Sequence, residues 1–122
     1  MKIKAFGYAL VCMLVLDFIY LSLTKNFYNN LERSIKGQNI IIRPIAMIIV
    51  YLLLAFAYYY FILEKNGTIK DAFILGISIY GTFDLTNYAI FNKWNLKAVL
   101  MDTLWGGILF SLTRYLTTHK FK

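Results

Sequence analysis

Three aspartates are the residues of this chain with the clearest potential for chemistry. Asp17, Asp84 and Asp102 each lie in a long stretch that is otherwise apolar and aromatic. An aspartate at the centre of a membrane helix costs about 2.5 to 3.5 kcal/mol on insertion scales. Carboxylates that meet in a low dielectric must bind protons or share a cation, because their charges repel one another. Three such residues in one short chain therefore call for a shared explanation.

The composition places these aspartates in a membrane protein. Hydrophobic residues make up 60% of the 122 residues and charged residues 16%, whereas an average soluble domain has about 45–50% and about 25%. The length allows one domain, residues 1–122, with room for about four membrane spans of about 20 residues. The chain is therefore expected to be a small multi-pass membrane protein.

Four spans are predicted, at about residues 5–23, 44–63, 71–91 and 97–116. Each can cross a hydrocarbon core of about 30 Å as a helix, and lipid offers the backbone no other hydrogen bonds. Turns at residues 64–68 and 92–95 predict that the last three spans are antiparallel neighbours. The predicted fold class is an all-α, integral membrane four-helix bundle. Small residues one turn apart, such as Ala72 and Gly76, predict close helix packing.

The connection between the first two spans has a different pattern. Leu31, Ile35 and either Phe27 or Tyr28 recur at helical spacing among polar and charged residues. This pattern is typical of a short helix that lies in the membrane interface. The alternative is a plain polar loop.

Depth in the membrane brings the three aspartates into one layer. Each lies five to seven residues from an end of its span, and those three ends emerge on the same side. At 1.5 Å per residue, the carboxylates lie about 8–11 Å inside one face. Polar or amphipathic residues at the same depth or on the same helical face extend this layer into a candidate polar site: Tyr20, Tyr51, Tyr80, Asn87 and Trp105. Arg43, at the mouth of the second span, is the candidate counter-charge.

This layer admits two classes of function. In the first, the acids bind a proton, a cation or a cationic small molecule, or act on lipid, in a transport or lipid-related role. Oxygen ligands alone suit a proton or a hard cation, and Asp17, Asp84 and Asp102 are then the only metal ligands to consider. In the second, the protein is a structural or accessory subunit whose acids serve helix packing or bind a partner.

Other chemistry has little support in the sequence. Cys12 and His119 are single residues of their types, so neither a disulfide framework nor a usual zinc, haem or iron–sulfur site is expected. No cofactor is identified, and no activated nucleophile or other catalytic constellation is recognisable, so an enzyme is the less favoured class. The net charge of +7 comes from scattered basic residues. The expected partners are therefore the lipid bilayer and a second copy or another membrane protein, not nucleic acid.

Charges around the spans bear on location and orientation. The first apolar stretch is longer than a signal-peptide core of about 7–15 residues and lacks a good cleavage site, so it is expected to be retained. Four spans place both termini on one side. Basic residues divide evenly between the two sides, and only the lysines before the first span favour cytoplasmic termini. The expected location is the plasma membrane, or the inner membrane of a bacterium.

One long segment resembles a known family signature. Residues 80–107, "YGTFDLTNYAIFNKWNLKAVLMDTLWGG", are similar to the predicted membrane protein family catalogued as domain of unknown function 2177, and "LDFIYL" and the "FY" at 27 and 28 extend the resemblance over the whole chain. Phe83 and Tyr20 depart from it, where Tyr and Trp are usual. The resemblance implies a compact four-helix membrane protein, and it does not itself imply an activity. It singles out as the family-like set Asp17, Asp84, Thr86, Asn87, Asp102, Trp105 and Gly106.

Overall fold

Four helices make up the computed structural model, which describes residues 2–36, 43–91 and 94–121. The helices are α1 (Ile3–Lys36), α2 (Pro44–Tyr58), α3 (Ile69–Ile90) and α4 (Leu96–Phe121), and a π-helical turn (Tyr59–Leu63) extends α2. The predicted all-α, four-helix architecture is confirmed.

Local sequence signals explain where the helices begin. Pro44 takes the first position of α2, where its missing N–H is no loss. Thr68 and Asp71 form a capping box at the start of α3, with reciprocal hydrogen bonds of 3.1 and 2.9 Å between side chain and backbone. Asn95 Oδ1 accepts a bond of 2.8 Å from Ala98 N at the start of α4.

The first helix is longer than its predicted span. Residues 24–36 continue α1 without a break, so they do not form a separate interfacial helix; residues 37–42 lie outside the described part of the chain. Neither Gly nor Pro occurs between Leu23 and Lys36 to end the helix. Leu31 packs with Trp94, Ala98 and Val99 in a small second core, which holds this extension against the start of α4.

Exposed apolar side chains and small buried residues give the bundle the character of a membrane protein. Within the described residues, three segments are long and apolar enough to cross a membrane: Ile3–Leu31, Pro44–Leu63 and Leu96–Thr117. Helix α3 is not among them, because several hydroxyl, amide and acidic side chains interrupt its apolar sequence. That α3 also crosses the membrane stays a prediction.

Helices α3 and α4 nonetheless pack with backbones in near contact. A Cβ added to Gly76 would lie 2.1 Å from the carbonyl oxygen of Gly106, and a Cβ on Gly106 would lie 2.4 Å from the ring of Tyr80. The close packing predicted for small residues is present at this interface. A Cβ on Gly81 would meet the side chain of Thr103 at 3.2 Å. From one contact to the next, the residue number increases in α3 and decreases in α4, so the two helices are antiparallel.

Candidate functional site

Asp17 is the hydrogen-bonded acid of the predicted polar site. It is 6% exposed on α1, and its two carboxylate oxygens accept bonds from two different helices. Tyr51 Oη on α2 donates to Oδ2. Trp105 Nε1 on α4 donates to Oδ1 at 2.9 Å. Asp17 therefore ties α1, α2 and α4 together.

A pair of tyrosines extends from Trp105 along α1. The ring of Tyr20 stacks on that of Trp105, with centroids 4.7 Å apart and planes 2° apart. The hydroxyl of Tyr20 hydrogen-bonds that of Tyr28 at 2.6 Å, and either oxygen can donate. Both hydroxyls also interact with the carboxylate of Asp102. This side of the site is thus a continuous set of rings and hydroxyls.

Asp84 differs from Asp17 because no donor among the described residues reaches its carboxylate. Its side chain is 0% exposed on α3. Neither carboxylate oxygen accepts a hydrogen bond from a described hydroxyl, amide, indole or charged side chain. Asp84 interacts electrostatically with Asp102 across the interface of α3 and α4, and no lysine or arginine is among the described groups that act on it. An unpaired buried carboxylate costs several kcal/mol while it is charged.

Tyr80 connects the acids at the centre of the bundle. Its ring packs over Gly106, and its hydroxyl interacts electrostatically with all three aspartates and with Tyr51. Asp102 in turn interacts with Asp17 and with Asp84. The structure therefore brings together eight of the residues that could form a polar site: Asp17, Tyr20, Tyr28, Tyr51, Tyr80, Asp84, Asp102 and Trp105.

Three sequence-predicted residues lie outside this cluster. Thr86 is exposed, and its hydroxyl donates to the backbone oxygen of Thr82 at 2.6 Å, a bond within its own helix. Asn87 is half-buried and makes no side-chain hydrogen bond to the acids among the described contacts. Arg43 is exposed just before Pro44 and forms no ion pair with a described residue.

The acids do not form a metal centre in the described part of the chain. No three His, Cys, Asp or Glu side chains there are grouped so that they could hold a metal ion. Two of the three acids also differ in their surroundings, since Asp17 is satisfied by neutral donors and Asp84 is not. Carboxyl and hydroxyl groups that lie next to one another in this way are able to exchange protons.

Sequence reasoning missed Tyr28 and a second polar pair. Tyr28 lies two turns beyond Tyr20, past the predicted end of the first span. A first helix predicted to continue through residue 28 would have included it in the site. The second pair lies elsewhere in the bundle, where Tyr58 and Thr117, both 0% exposed, join their hydroxyls at 2.6 Å. The π-helical turn after Tyr58 buries Tyr59 and Ile62 as well, a local change that the sequence does not reveal.

Comparison with known proteins agrees with the membrane interpretation. No curated protein and no solved structure is similar enough to this chain to count as a match. The family model of DUF2177, described as a predicted membrane protein, matches residues 2–119. An integral location in a lipid bilayer follows from this match and from the three apolar helices. The chain therefore belongs to the DUF2177 family of predicted membrane proteins.

Proposed function

We propose that this protein binds a proton within the membrane at the pair Asp84 and Asp102, and that the pair serves the transport of protons across the membrane. The observation that carries the proposal is the burial of Asp84 without a hydrogen bond from any described residue. A carboxyl group in that position avoids the cost of a buried charge by holding a proton. The neighbouring carboxylate of Asp102 is the natural group with which to share it.

The surroundings of Asp84 favour a proton over a larger cation. The groups that act most strongly on Asp84 and Asp102 are carboxyl groups and tyrosine hydroxyls. No described group of three acids, histidines or cysteines has the geometry of a metal site. Around Asp84 the helices approach closely, since Gly81 contacts Thr103 one turn away. A proton needs no space beyond what the two carboxyl groups already occupy.

The contrast with Asp17 separates the two classes of function. Both oxygens of Asp17 accept hydrogen bonds, and these bonds join three helices. That arrangement supports the structural role for Asp17. Asp84 lacks this arrangement, because no described donor reaches either of its oxygens, and the group that acts on it is the carboxyl of Asp102. We therefore assign Asp17 to packing and Asp84 to proton binding.

The proposal includes α3 as a fourth membrane span. Gly76 and Gly81 of α3 lie against Gly106 and Thr103 of α4, and α4 is apolar enough to cross the membrane. A helix packed along α4 at this depth lies within the bilayer as well. The polar side chains Ser78, Thr82 and Thr86 are compatible with this, because each donates its hydroxyl to a backbone oxygen four residues earlier. Both termini then lie on one side, which we take as cytoplasmic.

Proton flux into liposomes tests this function. Purified protein is reconstituted with a pH-sensitive dye inside, and a potassium diffusion potential drives proton entry. We expect flux above that of protein-free liposomes, and loss of the excess in Asp84→Asn and Asp102→Asn. Glu64→Gln is the matched control, because Glu64 is an exposed acid outside the spans. Wild-type flux at the protein-free level, or unchanged flux in Asp84→Asn, would overturn the proposal.

A further inference from the structure

Tyr28 and Tyr20 lie between one end of the bundle and the acid pair. Tyr28 is partly exposed and packs with the second core, which includes Leu31 and Trp94 at the start of α4. Tyr20 stacks on Trp105 deeper in the bundle. The two residues are eight positions apart on α1, about 12 Å along the helix axis. Their hydroxyls nevertheless meet at 2.6 Å.

Tyr20 is placed beside the acid pair by its stacking on Trp105, which lies one turn after Asp102 on α4, and Tyr20 acts on Asp102 more strongly than Tyr28 does. Tyr20 and Tyr28 each interact with the carboxylate of Asp102, and Tyr28 also interacts electrostatically with Asp84. Neither hydroxyl is fixed as the donor of their shared bond. A hydroxyl group can accept one proton while it donates another, which a purely apolar or purely donating side chain cannot do.

We propose that Tyr28 and Tyr20 form a hydroxyl relay that carries protons between water at the α4 start and the carboxylate of Asp102. This inference rests on the proposed proton-binding function. In the inward step, a proton from water binds Tyr28 Oη while the proton of Tyr28 passes to Tyr20 Oη. The proton of Tyr20 passes to a carboxylate oxygen of Asp102. Both tyrosines end as neutral phenols, and one proton has moved from water to the acid pair.

The groups around the relay are consistent with proton delivery. The titratable groups that interact with Asp102 and its partners come from three other helices: Asp17, Tyr20 and Tyr28 of α1, Tyr51 of α2, and Tyr80 and Asp84 of α3. None is a base such as lysine or histidine that would trap the proton on its way. Lys97 lies near the relay at the start of α4, where its Nζ is 5.4 Å from the ring centroid of Phe27.

Two isosteric variants test the relay by kinetics. After a rapid drop in pH, the growth of the protonated carboxyl band is followed by time-resolved infrared spectroscopy in wild type, Tyr28→Phe and Tyr20→Phe. We expect the rate to fall by at least about 10-fold in both variants, with the final amplitude and the unfolding midpoint unchanged. Tyr88→Phe is the control, because Tyr88 is an exposed tyrosine of α3. Added azide, a small diffusible weak acid, is expected to restore the rate.

The outcomes separate the relay from the function on which it rests. A carboxyl band that appears in both variants at the wild-type rate would overturn the relay and leave the proton site intact. A wild type in which the band is absent at neutral pH and does not grow after the drop would overturn both. Slow growth that azide does not restore, with a lowered unfolding midpoint, would show that the tyrosines act on packing and would also overturn the relay.

Discussion

Trp105 Nε1 donates a hydrogen bond of 2.9 Å to Oδ1 of Asp17, and so joins α4 to α1 inside the membrane bundle. The other carboxylate oxygen of Asp17 accepts from Tyr51 of α2. A single acid on the first helix thus holds three of the four helices in register. The same indole forms the stacking surface for Tyr20, so this one bond also positions the first residue of the tyrosine pair.

Removal of this bond is expected to lower stability by a modest amount. Trp105→Phe keeps an aromatic ring against Tyr20 but deletes the donor, and should lower the free energy of unfolding by about 0.6 to 1.7 kcal/mol. Asp17→Ala should cost more, because it leaves both Tyr51 Oη and Trp105 Nε1 without their acceptor. Unfolding of the protein by SDS in mixed micelles measures both changes. Equal stability of Trp105→Phe and the wild type would show that the bond contributes nothing.

The contact between α3 and α4 should not tolerate a single methyl group. In Gly76→Ala, the new Cβ would lie 2.1 Å from the backbone oxygen of Gly106, and neither backbone can turn aside as a side chain would. We expect at least about 1 to 3 kcal/mol of destabilisation. Gly7→Ala is the matched control, because nothing lies within 4 Å of its Cβ position and Ala stabilises a helix by about 0.5 to 1 kcal/mol relative to Gly. Thermal unfolding in detergent compares the two. A stable Gly76→Ala would contradict the observed packing.

The path of α3 across the membrane can be tested by cysteine labelling. In a Cys12→Ser background, Lys65→Cys and Lys97→Cys place matched exposed thiols before α3 and after it. If α3 crosses the membrane, an impermeant maleimide labels position 65 from one side only and position 97 from the other side only. An N-terminal tag should lie on the same side as position 65. Labelling of both thiols from the same side would show that α3 does not cross.

The fold was predictable from sequence to the extent that it depends on local signals. Pro44, the turn at residues 64–68 and long apolar runs predict four helices, which the structure contains. The continuous α1 was not predicted, because the fall in hydropathy after Leu23 suggested an end, although no helix-breaking residue is present there. Its continuation depends on tertiary packing of Leu31 on Trp94. A local sequence pattern does not reveal this contact, because Leu31 and Trp94 are far apart in the chain.

Counting residues in the sequence gives the depth of each candidate site residue but not its rotation about the helix axis. The count from the span ends predicts that the three aspartates share one layer, and in the structure all three interact electrostatically with Tyr80. The family resemblance adds Thr86, which is exposed and bonds within its own helix. Neither the counting nor the resemblance gives a reason to separate Asp17 from Asp84. That difference depends on which donors the neighbouring helices present, namely Tyr51 and Trp105 to Asp17 and none to Asp84 among the described residues.

The central claim is that Asp84 holds a proton in the folded protein, and infrared spectroscopy of the protein in lipid tests it most directly. The difference spectrum between wild type and Asp84→Asn at neutral pH should contain the C=O stretch of a protonated carboxylic acid, in which exchange of water for D₂O produces a small downward shift. The corresponding spectrum for Glu64→Gln should contain only a carboxylate signal, because Glu64 is exposed. A carboxylate signal and no carboxylic acid band in the Asp84 difference spectrum would contradict the account.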